Sequence, residues 1–152
     1  MSPSPSFFHQ EIVARFHELL RAWVRKHDLG KTGLAPLDMI LTPHWVVQPD
    51  VFFVSKDRLG IIQDRLKGAA DLVAEVVSSE SRRRDRLDNR DLYEQHGVRE
   101  YWLLDPEAQT VEVLHLESGA YRLAGRWQPG EIAISHLLNG FQVSVSELFA
   151  ER

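Results

Sequence analysis

Residues 71–78, DLVAEVVS, form an almost continuously apolar run interrupted by one carboxylate, Glu75. A run of this kind suits a central strand buried on both faces. An ionised side chain in such surroundings is costly unless it is paired or metal-bound. Asp50 poses the same problem, lying between Val47 and Phe52 in the Val- and Phe-rich stretch 45–55. Pro49 interrupts that stretch and predicts an edge strand or a bulge. The polar connection 56–70 is long enough to let the two stretches lie as neighbours. Both carboxylates then point to one face at the same end of a sheet.

The rest of the chain supplies a frame for that sheet. Ile12, Val13, Phe16, Leu19, Leu20 and Trp23 recur at three- and four-residue steps, which predicts an amphipathic helix over 10–27, closed by Asp28-Leu29-Gly30 with Gly30 as its stop. A strand is expected over 33–41, ending before Thr42-Pro43. A second helix is expected over 79–96, capped by Ser78 or Ser79 and stopped at Gly97. Residues 98–105 (VREYWLLD) and 110–116 (TVEVLHL) read as hairpin partners across a turn at 107–109. Shorter strands are expected at 121–123 and 131–134, then a turn at Asn139-Gly140 and a terminal helix near Ser146. The fold class is therefore α+β, a mixed sheet flanked by helices with additional C-terminal β-hairpins. Residues 1–6 read as a short disordered Ser/Pro-rich lead, and 7–152 as one domain.

Composition removes several classes of function. Without cysteine there are no disulfides, no thiolate zinc sites and no cysteine nucleophile. That fits a cytoplasmic protein. The longest apolar stretches are strand-sized, far short of the ~20 residues of a spanning helix. A net charge of −4 argues against a surface that binds nucleic acid throughout, although Arg82, Arg83, Arg84, Arg86 and Arg90 concentrate positive charge locally.

Two adjacent carboxylates repel, and a divalent cation relieves that repulsion. Magnesium takes oxygen ligands and keeps several waters, so one or two carboxylates suffice. The alternative is that Asp50 caps a turn after Pro49 and Glu75 pairs with an arginine of the next helix. In that helix Asp85, Asn89 and Tyr93 recur at four-residue steps and share a face. Its first turns overlook the carboxylates if the helix begins where the Glu75 strand ends, and the nearby arginines can bind phosphates. Equally, these charges suit a solvated face, with Asp85 favouring the N-terminal dipole.

The pieces Gln48-Pro49-Asp50, DLVAEVVSSES at 71–81, RRRDRLDNRDLYEQHGVREYWLLDPE at 82–107 and NGFQVSVSELF at 139–149 occur together. In combination they resemble the Uma-two family of restriction-endonuclease-like proteins, in the PD-(D/E)XK nuclease superfamily. The first helix, with His9 at its start, resembles that family less specifically. The resemblance implies a restriction-endonuclease-like core, magnesium (or manganese) bound by Asp50 and Glu75, a DNA substrate and action as a homodimer. Asp85 is expected to support the two ligands, with Arg83, Arg84 and Arg90 binding phosphate. Val77 stands where the superfamily often has lysine. The family typically places that lysine four residues after the aspartate matched by Asp85, and here the position holds Asn89. Asparagine is not basic, and losing a general acid–base group costs ~10²–10⁴-fold in rate. Lys67, Arg86 and Arg90 are the other nearby cations in sequence.

Three readings follow: a magnesium-dependent endonuclease, a degenerate nuclease fold that binds DNA or a protein partner without cutting, and an interaction protein with no nucleic-acid role. The remaining candidates read as structural. His9 and His17 share a helix face without a carboxylate pattern and make a weak metal signal. His96 favours a helix C-terminus. His44, His115 and His136 read as isolated. Of Tyr101 and Trp102, which alternate along a strand, one is expected in the core.

Overall fold

The computed structural model describes residues 6–77 and 83–151, and of residues 83–88 the backbone only. The elements run α1 (Phe7–Lys26), β1 (Gly30–Leu34), β2 (Met39–Thr42), β3 (Trp45–Val47), β4 (Val51–Ser55), a 3-10 helix (Lys56–Ile61) and β5 (Leu72–Val76). They continue with α2 (Arg83–Gln95), β6 (Glu100–Asp105), β7 (Thr110–Glu117), β8 (Ala120–Trp127), β9 (Ile132–Ile134), β10 (Gln142–Ser144) and α3 (Val145–Leu148). Six strands form one sheet in the order β1-β4-β5-β6-β7-β8. β5 and β6 are parallel, with α2 in the crossover between them, and the other neighbours are antiparallel. The architecture is the expected α+β one, with a mixed sheet flanked by helices and extra C-terminal hairpins.

α1 forms where the apolar periodicity places it. Ser6 Oγ accepts the backbone N–H of His9, which satisfies one orphan donor of the first turn. Ser6 therefore belongs to the helix cap; the rest of the lead, residues 1–5, lies outside the described residues. Ile12, Phe16, Leu20 and Val24 form the buried stripe. The helix closes within the expected Asp28-Leu29-Gly30 segment, but Asp28, at φ 51°, rather than Gly30 takes the left-handed turn. Gly30 has another task. At φ +152° it passes so close to β4 that a Cβ would lie 2.0 Å from the Val54 carbonyl oxygen.

The sheet separates two apolar layers. One packs α1, the 133–149 region and Trp102 against Val51, Phe53, Leu72 and Ala74. The other packs Met39, Leu66, Tyr93, Tyr101 and Tyr121 against Phe52, Val54 and Val73. Tyr101 and Trp102 are both fully buried, one on each face, where the sequence predicts a single core residue.

Several boundaries move. The strand expected over 33–41 is two strands separated at Ala35–Pro36, whose peptide bond is cis. The stretch 45–55 is likewise β3 and β4, split at Gln48-Pro49-Asp50, because β3 pairs with β2 whereas β4 joins the main sheet. β8 spans eight residues rather than three, since pairing with β7 along its length extends it past Leu123. The expected caps Ser78 and Ser79 lie outside the described residues. Gly97, at φ +80°, ends α2 as expected, and Val98 N–H donates to the Tyr93 carbonyl just beyond it.

Glu100 is a buried carboxylate that the sequence does not flag. It accepts Trp102 Nε1 at 2.8 Å, the Ser135 hydroxyl, and the backbone N–H groups of His136 and Leu137 at 2.9 and 2.8 Å. The rings of His115 and His136, expected to be isolated, lie 5.5 Å apart, tilted by 39°, at this carboxylate. The network fastens the 135–138 turn to β6.

Candidate active site at the end of the sheet

In the β4–β5 ladder Val51 lies opposite Ala74. One step outward on each strand, this register sets Asp50 and Glu75 at the same end of the sheet. Asp50 immediately precedes β4, and its Oδ2 accepts the Val76 backbone N–H at 2.8 Å. The carboxylate is thus tied to the strand that carries its partner.

Glu75 points into the layer under α2. Its Oε1 accepts the Tyr101 hydroxyl at 2.6 Å and its Oε2 accepts the Tyr93 hydroxyl at 2.9 Å. The two rings meet edge-on, 5.0 Å apart. Burial pushes the Glu75 carboxyl up to about 7. The Tyr101 hydroxyl opposes that rise, the negative charge of Asp50 adds to it, and the Tyr93 hydroxyl opposes it more weakly. Burial, reinforced by the Glu75 charge, holds both tyrosines well above the usual phenol range, so they remain donors near neutral pH.

From the other layer, His9 in the first turn of α1 brings Nε2 to 3.7 Å from Asp50 Oδ2. A cleft of about 320 Å³ opens here, lined by His9, Gln10 and Val13 of α1, Leu34 of β1, and Pro36 and Asp50. Asp50 therefore borders space that solvent and a ligand can enter, while Glu75 lies half-buried behind it.

Among the described residues no three carboxylate or imidazole groups converge as a metal-binding set. What is present is a carboxylate pair whose repulsion registers in the raised Glu75. That donor set fits a hard divalent cation that keeps most of its own waters, and does not fit a closed structural site.

The other sequence candidates divide. Asn89 is half-buried on α2 and lies one turn before Tyr93, on the face that reaches Glu75. Arg90 is half-buried on α2, and its positive charge acts on Tyr121, which donates to the Val98 carbonyl. Arg83, Arg84 and Asp85 lie in the first turn of α2, and their side chains are outside the described residues, as are those of Arg82 and Arg86. Lys67 is exposed on the segment that enters β5 at its Leu72 end, away from Glu75.

Sequence reasoning missed the hydrogen-bond partners of Glu75 and the neighbour of Asp50. Tyr93 carried a usable signal, because it shares a helical face with Asn89. Tyr101 and His9 carried none, since they reach the pair only through β5–β6 pairing and the docking of α1.

Comparison with known proteins agrees with this fold. The fold is similar to a crystal structure from Anabaena variabilis ATCC 29413 described as "a putative nuclease belonging to DUF820". The TM-score is 0.80 at 19% identity, over 98% of this chain and 84% of that one. At that identity the likeness establishes a shared fold. No curated protein matches the chain. Over residues 1–146 the sequence matches Uma2, described as "Putative restriction endonuclease", and the chain belongs to that family.

Proposed function

We propose that this protein is a magnesium-dependent endonuclease that hydrolyses DNA phosphodiester bonds, with Asp50 and Glu75 as its cation ligands. The observation that carries the reading is the pairing of the two carboxylates across the β4–β5 ladder beside an open cleft. Family membership and the nuclease-like fold support it. A divalent cation bound there supplies Lewis acidity toward a phosphoryl oxygen and lowers the pKa of a coordinated water.

The protein's own groups do the positioning. The Val76 N–H fixes Asp50, and the Tyr93 and Tyr101 hydroxyls fix both oxygens of Glu75, so the pair is oriented before any ligand arrives. Asn89, on the Tyr93 face, can hold a water by hydrogen bonding but cannot take its proton. Asp85 is assigned a supporting role behind the carboxylates, and Arg83, Arg84 and Arg90 remain the candidate phosphate contacts on α2. In this reading the working unit is a homodimer, one protomer per strand, and the lack of cysteine suits a reducing cytoplasm.

Asn89 favours a second reading, a degenerate member that binds DNA or a protein partner without cutting. Incubating supercoiled and single-stranded DNA with magnesium or manganese separates the two. Cutting that disappears in Asp50→Asn supports the nuclease. Absence of cutting by a folded protein, restored in Asn89→Lys, assigns the loss to that position. Absence in both selects the second reading.

A further inference from the structure

β1 is the outermost strand of the six-stranded sheet on one side, and α1 runs antiparallel along it. The start of α1 faces Leu34 and Pro36, where the cleft beside Asp50 opens. The end of α1 faces Gly30–Thr32, where a second cleft of about 320 Å³ is lined by Arg21, Val24, Arg25, Gly30, Lys31 and Thr32. Between the two, His17 Nε2 and Thr32 Oγ1 lie 3.1 Å apart. The helix and the edge strand thus carry two clefts in line along their seam, the α1–β1 groove, with Asp50 lining one, three cations lining the other and the His17–Thr32 contact between them.

Those cations are not taken up by carboxylates. Arg21, Arg25 and Lys31 are exposed, and among the described residues none forms an ion pair with a carboxylate. Arg25 in the last helical turn offsets the macrodipole. Arg21 lies a turn earlier and Lys31 lies on the strand, so the dipole does not account for them. Arg21 lines the cleft with Lys31 and lies one helical turn beyond His17, which itself meets Thr32 of β1. The lining holds no acidic residue, in a chain whose net charge is −4.

We infer that the α1–β1 groove is the path of a DNA strand leaving the carboxylate pair, with Arg21, Arg25 and Lys31 holding its backbone phosphates. This rests on the nuclease reading for the acidic end only. From His9 to Arg25 the helix rises ~24 Å, which corresponds to roughly seven steps of duplex at about 3.4 Å per phosphate along each strand. The cations therefore meet phosphates well away from the reacting one and contribute to binding without taking part in chemistry.

The test is binding in the Asp50→Asn background, which keeps substrate intact. Fluorescence anisotropy with a labelled duplex of about 20 base pairs, read between roughly 50 and 200 mM salt, gives the slope of log K against log salt. Arg21→Ala/Arg25→Ala is compared with Arg122→Ala/Arg126→Ala, which removes the same charge from the opposite sheet edge. The groove pair is expected to flatten the slope by about 1.8 and weaken low-salt binding about tenfold or more, with the β8 pair near the parent. Equal loss in both pairs, or an unchanged slope in the groove pair, overturns the groove while leaving the site reading intact. No DNA binding by the parent overturns both. Binding that follows the groove in a protein that never cuts DNA retains the groove and removes the catalytic reading.

Discussion

Replacing Glu75 by glutamine isolates the electrostatic cost of holding an acidic pair without a cation. The folded-state pKa of about 7 lies above the ordinary 4.5. Between those values the native state binds more protons than the unfolded chain, so stability falls as pH rises through the window and levels off above it. A shift of that size corresponds to about 3 kcal/mol at full development. Glutamine keeps the shape and stays neutral. In chelator-treated protein, Glu75→Gln should therefore gain on the parent by roughly 2–3 kcal/mol between pH 5 and pH 8. In a chain of 152 residues that corresponds to a melting-temperature gap widening by roughly 5–10 °C. Urea unfolding of both proteins across that range measures it. Parallel stability curves would refute the argument, because they would mean that Glu75 titrates alike in the folded and unfolded chain. Added magnesium should then stabilise the parent and not the variant at the upper end of the range.

Two further outcomes follow from the fold. Glu100→Ala leaves Trp102 Nε1, Ser135 Oγ and the N–H groups of His136 and Leu137 without their acceptor, and should cost about 3–5 kcal/mol; a loss below about 1 kcal/mol in chemical denaturation would show that the 135–138 turn finds other partners. Gly30→Ala forces a Cβ against the Val54 carbonyl at a backbone angle that side chains avoid, and should destabilise by roughly 2 kcal/mol or more, read as a lowered melting temperature.

Local patterns in the sequence carried the elements that depend on local patterns. The stripe of Ile12, Phe16 and Leu20 located α1, the apolar run around Glu75 located β5, and Gly97 located the end of α2. What was not legible depends on which strand pairs with which. Residues 45–55 look like one strand because β3 and β4 are equally apolar, and only their different partners separate them. The acidic pair stood out because charge inside an apolar run is visible in one dimension. The imidazole beside Asp50 and the hydroxyls on Glu75 come from distant segments with no shared pattern. The cations of the α1–β1 groove carry no shared pattern either: Arg21 and Arg25 lie on α1, and only the docking of β1 brings Lys31 alongside.

The two acids face each other across the ladder but draw their neighbours from different layers, Asp50 from His9 of α1 and Glu75 from the tyrosines of α2 and β6. Substitution can therefore alter the neighbours of one carboxylate without touching those of the other. A change on α2, at Asn89 for example, meets the surroundings of Glu75 and leaves the α1 side, with Asp50 and its cleft, as it was. The site is thus built like a hinge plate with two separate sets of screws, one set on each helix.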